Sequence, residues 1–273
     1  TVSGRVDDPF ETPDWRPVTL TETMRFSDNS NMRFSMIYEP EEEEVTSLTT
    51  GFTYKNFDAS FSAAKMVPYV LNPTLGWELD SSGVAALHPR DFRIQYRHNL
   101  KDDTIFDHRL GYSIDASTSL LLDLQRYTYS SLTFSLSATL RITDFMDASF
   151  TTRSENNQII RYMQDIPYFN LPDLNTRNSE NHPFLDLVNS FRFDDPELRR
   201  MSGYKLKDFS LVLTHYLGDW NAKLGIRLAP YLDQTVTPYT YKFNTEVSFL
   251  IQWIPVSEFK TEVKSDKGVF DIL

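Results

Sequence analysis

Ser131-Leu132-Thr133-Phe134-Ser135-Leu136-Ser137-Ala138-Thr139-Leu140-Arg141-Ile142 is the stretch that decides the fold. Leu132, Phe134, Leu136, Ala138, Leu140 and Ile142 alternate with Thr133, Ser135, Ser137, Thr139 and Arg141. Successive side chains of a strand point to opposite faces, so this segment would carry one apolar and one polar face. A helix wants apolar residues at i, i+3, i+4 and i+7, and would mix the two sets on every face. The segment predicts a strand.

The same period of two runs outward in both directions. Phe92, Ile94 and Tyr96 alternate with Arg93, Gln95 and Arg97, and Leu110, Tyr112, Ile114 and Ala116 with Gly111, Ser113 and Asp115. It returns at Phe209, Leu211 and Leu213, at Trp220, Ala222, Leu224, Ile226 and Leu228, and at Phe243, Val247, Phe249, Ile251 and Trp253. Upstream it runs through Met32, Phe34, Met36 and Tyr38 and through Phe57, Ala59 and Phe61. About twelve strands are predicted, over 18–26, 32–38, 47–54, 57–65, 92–100, 108–124, 131–142, 148–154, 205–217, 220–228, 241–253 and 258–264. The expected organisation is a lead-in over 1–17, strands over 18–264 with a long loop at 155–204, and a tail over 265–273.

The links alternate. Short ones (27–31, 55–56, 143–147, 218–219, 254–257) interleave with long ones (39–46, 66–91, 155–204, 229–240), and only 101–107 and 125–130 are of similar length. Short turns at one end and long loops at the other are the rhythm of a meander barrel that crosses a membrane. The 155–204 link is too long for a plain connection in a compact domain. Its first part is rich in Asn and Pro, and 183–191 spaces its apolar residues for a short helix with Pro183 at the start. It is expected either to cover a pore mouth or plug a lumen, or to lie as an ordered surface loop.

Composition agrees with a barrel and removes other classes. The mean hydropathy is -0.40, and no run approaches the ~18 apolar residues of a membrane helix. A barrel wall shows lipid only every second side chain, so its average stays low. Aromatic residues make up 14%, with 20 Phe and 14 Tyr. The net charge of -11 argues against a nucleic-acid partner. Cysteine is absent, which excludes disulfides and thiolate metal sites. The chain starts at Thr1, and an export leader is expected upstream.

Nothing points to an enzyme or a cofactor. There is no Gly-x-Ser-x-Gly elbow, phosphate-cradling Gly-rich loop or His-Glu-x-x-His. His88, His98, His108, His182 and His215 never fall at metal-ligand spacing; Asp107–His108 and His215 with Asp219 are the nearest acid–base pairs, and chance placement accounts for them better. The run Glu39-Pro40-Glu41-Glu42-Glu43-Glu44 suits a solvated loop far better than a cation site.

The polar faces carry the functional reading. With the apolar faces toward lipid, the opposite set lines an interior of mixed sign. Its cations Arg93, Arg97, Arg141, Lys223, Arg227 and Lys242 are the candidate contacts for lipid phosphates. A soluble β-sandwich with those faces in water explains the alternation equally well; the aromatic load on the other face and the link rhythm favour the all-β, antiparallel transmembrane β-barrel.

Two stretches carry a family likeness. Ser131–Tyr162 (SLTFSLSATLRITDFMDASFTTRSENNQIIRY) and Ser202–Trp253, above all Gly203-Tyr204-Lys205-Leu206-Lys207-Asp208-Phe209-Ser210 and Thr214-His215-Tyr216-Leu217-Gly218-Asp219-Trp220, resemble the carboxy-terminal barrel region of divergent lipopolysaccharide-assembly outer-membrane proteins, the LptD-like family. The resemblance covers about the last half of the chain. It implies a location in the bacterial outer membrane and the insertion of lipopolysaccharide or a related glycolipid into the outer leaflet through a lateral opening. The partners it implies are the glycolipid, outer-membrane lipids, a periplasmic bridge protein and a lipoprotein plug. The sequence departs from the family in having about half its strands, no jelly roll before them and no cysteine; nor does its end, Val269-Phe270-Asp271-Ile272-Leu273, show the closing aromatic of a last barrel strand. Two other readings stay open: a general porin or small-molecule channel, and a soluble β-rich binding protein.

Overall fold

The structure is a computed structural model that describes residues 16–72, 74–106, 109–162, 182–233, 240–256, 260–266 and 269–272. Most of the expected lead-in (1–15), the Asn- and Pro-rich first part of the long link (163–181) and His108 lie outside the described residues.

Thirteen strands form one sheet in the order β1-β2-β3-β4-β7-β8-β9-β10-β11-β12-β13-β14-β15, a meander interrupted only by the separate hairpin β5-β6. The strands are β1 (Val18–Ser27), β2 (Ser30–Glu39), β3 (Glu44–Tyr54), β4 (Phe57–Met66), β5 (Tyr69–Asn72), β6 (Gly76–Leu79), β7 (Ala86–Ile105) and β8 (Leu110–Asp123), then β9 (Ser131–Ile142), β10 (Met146–Asn156), β11 (Lys205–Leu217), β12 (Trp220–Asp233), β13 (Thr240–Trp253), β14 (Lys260–Asp266) and β15 (Val269–Ile272). Among the described residues of the long link lie a 3-10 turn over Ile159–Tyr162 and two α-helices, α1 (Pro183–Ser190) and α2 (Pro196–Met201). All twelve predicted strands are present. The similar middle links separate into a short one (106–109) and a longer one (124–130), but the rhythm fails elsewhere: the expected long link 39–46 shrinks to 40–43 between β2 and β3, and 234–239 and 254–259 are equal in length. Within the sheet β1 and β15 are the edge strands.

Two further features differ from the sequence reading. The 66–91 link holds the hairpin β5-β6, and the expected tail holds β15, which pairs with β14. Both are four-residue strands, too short for alternation to show.

The chain divides into two compact units. The first comprises residues up to Tyr96, with Ser119–Leu132 and Gln158–Ile160. Its register sorts the side chains by face, because residues directly opposite in a ladder share a face. Met32↔Phe52, Met36↔Leu48, Phe52↔Ala59, Phe61↔Phe92 and Phe57↔Tyr96 build the apolar face. Thr23↔Arg33, Arg33↔Gly51, Gly51↔Ser60 and Ser60↔Arg93 build the polar one. In the same unit Trp77 of the small hairpin meets Tyr127 edge-on at 5.0 Å and donates its indole N–H to Thr128 Oγ1 at 2.7 Å. Beside it the Arg126 guanidinium lies 4.8 Å from the Tyr69 ring and 4.7 Å from that of Tyr129.

The second unit comprises Arg97–Thr118, Thr133–Asn157 and Arg161–Leu273. Here Phe150↔Leu211, Leu211↔Ile226 and Ile226↔Val247 run across four strands on one face, with Leu213↔Leu224 and Leu224↔Phe249 parallel to them. Thr151↔Ser210, Ser210↔Arg227 and Arg227↔Glu246 run on the other. At the short-turn end Gly218, at φ +65°, supplies the left-handed residue of the Gly218-Asp219 turn. Trp220 and Trp253 stack beside that turn at 6.1 Å, on the apolar face.

The 182–204 stretch of the long link belongs to this second unit and packs on its apolar face. Thr152 faces Phe209 across the β10–β11 ladder, and Phe193 packs against Phe209 at 5.7 Å and Phe243 at 5.4 Å. The Arg199 guanidinium lies 4.7 Å from the Phe243 ring. A polar latch fixes the insert: Asp186 Oδ2 accepts from the Tyr162 hydroxyl at 2.5 Å and the Gly203 amide at 3.0 Å, Asn156 donates to Tyr162 at 2.9 Å, and Ser202 Oγ donates to the Asp186 carbonyl at 2.6 Å. Ser154 and Ser190 hydroxyls meet at 3.3 Å. Asn156, Ser154 and Ser190 are the largest fully buried side chains among the described residues. Burial of such groups is tolerable only with hydrogen bonds, and the latch supplies them. The predicted helix over 183–191 is α1. α2 begins at Asp195, whose carboxylate accepts from the Glu197 and Leu198 amides at 3.0 Å each.

Candidate functional site

The polar faces contain two hollows, one in each unit, each of about 430 Å³. In the first unit the hollow is lined by Asn31, Arg33, Thr53, Asp58, Ser60, Arg93 and Gln95. Gly51 lies directly opposite Arg33 and leaves the long side chain room. Thr53 Oγ1 donates to Asp58 at 2.7 Å. Arg93 holds Asp91 at 3.2 Å, and Arg90 holds the same carboxylate at 2.8 Å.

In the second unit the hollow is lined by Arg97, Asp115, Ser117, Ser135, Ser137, Thr151, Arg153 and Asp208. Every one of these polar residues lies on the alternate set opposite the apolar stripe. β8 to β10 contribute hydroxyls, β7 and β10 contribute arginines, and β8 and β11 contribute carboxylates. Asn99 donates to Asp115. Next to the hollow a charged ladder crosses three strands: Arg227 Nε lies 2.9 Å from Asp208 Oδ1, and its Nη1 lies 3.9 Å from Glu246 Oε2. Two guanidinium groups among hydroxyls and carboxylates can bind phosphate or carboxylate bidentately and sugar hydroxyls alongside. Among the described residues Arg97 and Arg153 make no ion pair, so their charge is available to a ligand.

The six candidate cations do not converge on one place. Arg93 lines the first hollow and Arg97 the second. Arg141 pairs with Asp147 at 3.5 Å near the β9–β10 turn. Arg227 belongs to the ladder, and Lys242 pairs with Asp233 at 2.6 Å. Lys223 is exposed on the polar face, opposite Thr214 and Leu250. Arg227 and Lys242 are thus neutralised by neighbours, while Arg97 and Lys223 are not. The sequence reading passed over Arg33, Arg153, Asp115 and Asp208. Alternation marks three of them: Arg33 falls between Met32 and Phe34, Arg153 shares the parity of Thr151, and Asp115 that of Ser113.

The other candidates carry less. Lys65 bridges Glu42 and Glu44 of the acidic run, and its ammonium holds the Glu42 carboxyl below the usual range. His215 lies across from Met146 and Ala222 on the apolar face, with its ring 5.9 Å from Phe145. No group of three His, Asp or Glu side chains suited to a metal occurs among the described residues, and no helix there is long and apolar enough to cross a membrane. The chain matches no protein-family model and none of the curated proteins.

Proposed function

We propose that the sheet is the wall, or part of the wall, of an outer-membrane β-barrel that passes lipopolysaccharide or a related glycolipid to the outer leaflet. One observation carries the reading: the sheet has a polar face with a hollow in each unit, the second holding Arg97 and Arg153 without an ion pair, and an opposite face whose large apolar side chains stay uncovered. Leu20, Met24, Phe52, Tyr96, Trp220, Phe249 and Ile251 are all exposed on that apolar face. The buried hydrophobic residues among those described are only Ala63, Ile159, Ile160, Tyr204 and Leu206. A soluble sandwich would cover its apolar face with a second layer; a barrel wall leaves it to lipid. The stacked Trp220 and Trp253 beside the short turns suit the headgroup level, where indoles concentrate.

An amphiphile in transit needs a polar path for sugars and phosphates and an apolar surround for acyl chains, and no bond is made or broken. The two faces meet both needs. Among the described residues β1 and β15 are the sheet's edges, so closure of the wall is part of the proposal. The likeness to LptD-like barrels points the same way.

The test is reconstitution of detergent-extracted protein. A gel mobility that changes on boiling, mostly closed conductance and saturable binding of lipopolysaccharide support the proposal. Stable open currents without glycolipid binding would make the protein a porin, and solubility without detergent would remove it from the membrane.

A further inference from the structure

α1 is amphipathic the wrong way round for a helix in water. Asp186 is 8% exposed and Ser190 0%, and both face the protein; Phe184 is 77% exposed, Leu185 52% and Val188 45%. Positions i, i+1 and i+4 lie on one side of a helix, so the three apolar side chains form a single outward row. The inward side is held by the latch: Asp186 takes Tyr162 and the Gly203 amide, and the Ser190 hydroxyl meets that of Ser154 at 3.3 Å. The orientation is therefore fixed by hydrogen bonds and cannot be reversed without leaving them unmade.

The side of the sheet matters equally. The insert lies on the apolar face, through Phe193 against Phe209 and Phe243. A layer laid over an apolar face in water turns its apolar residues inward and its polar ones out. Here Phe193 turns inward onto Phe209 and Phe243, whereas α1 lays its polar side chains on the latch and turns its apolar row outward.

We infer that α1 is embedded in the outer-leaflet side of the bilayer, with Phe184, Leu185 and Val188 among acyl chains, as a lipid-facing outrigger fastened to the long-loop ends of β10 and β11. The inference rests on the membrane reading above. Its occupant is lipid because the same insert packs through Phe193 and Arg199 on Phe209 and Phe243 of the apolar face, whose Phe249 and Ile251 are themselves exposed. The short helix lies on the barrel's outer side instead of crossing the bilayer, so its apolar row meets chains near the interface.

The absence of cysteine allows unique labels in the full chain. Phe184→Cys and Val188→Cys, each carrying a nitroxide, are compared with Phe249→Cys on the apolar sheet face and Lys223→Cys on the polar one. All four proteins are reconstituted in phosphatidylethanolamine–phosphatidylglycerol vesicles, and collisions with dissolved oxygen and a water-soluble nickel chelate are measured. The expected result is oxygen access at 184 and 188 matching that at 249, with loss of nickel access relative to 223. Nickel access at 184 and 188, with 249 still in lipid, overturns the inference and leaves the barrel standing. Shielding of 184 and 188 from both reagents overturns it in favour of a protein partner or second copy. Nickel access at 249 sinks the membrane reading and the inference together.

Discussion

The hydroxyl of Tyr162 and the carboxylate of Asp186 lie 2.5 Å apart, and through that contact one buried side chain fastens the start of the long link to its first helix. Removing the hydroxyl leaves Asp186 with the Gly203 amide at 3.0 Å. Tyr162→Phe is expected to cost roughly 1.5–3 kcal/mol, the range for hydrogen bonds to charged groups. A double-mutant cycle with Asp186→Asn, read by denaturant unfolding of refolded protein, should show coupling of at least about 0.5 kcal/mol. Strict additivity would mean that the contact contributes nothing.

Gly203 sits where no side chain fits. A β-carbon there would lie 2.7 Å from both Asn156 Nδ2 and Tyr162 Oη and 3.0 Å from Asp186 Oδ2. All three atoms belong to the latch, so none can yield without breaking a hydrogen bond. Gly203→Ala should destabilise the insert by about 1–3 kcal/mol and expose the chain near α1 and α2 to limited proteolysis. Unchanged cleavage would show that the latch tolerates the methyl group.

Burial, and next to it the Asp186 carboxylate, push the Tyr204 phenol from 10.0 up to about 12. A raised folded value favours the neutral phenol in the native state. Its contribution is complete below pH 10 and is lost as the pH climbs from 10 to 12. The shift corresponds to roughly 3 kcal/mol. Phenolate absorbance should show a late-titrating tyrosine that Tyr204→Phe removes, with proteolytic release of the insert in the same window. A titration finished by pH 10 in the wild type would contradict the buried placement.

On the polar face the uncompensated cations should matter more than the paired ones. Replacing Arg97 and Arg153 together with Gln is expected to weaken binding of an anionic glycolipid about tenfold or more, the loss of one charge-assisted contact. Lys242→Gln, whose cation already faces Asp233, should change it little. Equal effects would mean that the hollow in the second unit is not where the anion sits.

Much of this was legible from alternation alone. β9 and β11 end where the sequence places them, because a two-residue period breaks sharply at a turn and the register repeats it across neighbours. The hairpin β5-β6 escaped because four residues hold two periods at most, and its Trp77 is fixed by Tyr127 and Thr128, some fifty residues away. The side of the sheet taken by the long link was also hidden. It depends on Phe193 meeting Phe209 and Phe243, a tertiary contact with no local signature, and on a carboxylate, that of Asp186, which looks like an ordinary surface residue until its partners Tyr162 and Gly203 are known. Arg153 stood in plain view: the alternation that placed Thr151 on the polar face placed it there too.

The Asp208–Arg227–Glu246 ladder bears on how the wall finds its alignment. A slip of one residue between β11, β12 and β13 turns every side chain to the opposite face and is rejected by hydrophobicity. A slip of two restores the alternation, so apolar patterning cannot tell it from the native pairing. Such a slip carries Arg227 away from Glu246, to face Asn244 or Ser248; against β11, where Arg227 faces Ser210, only a slip in one direction separates it from Asp208. Between β12 and β13 the ladder therefore acts as a proofreading device: it distinguishes the alignments that greasy side chains treat as equal.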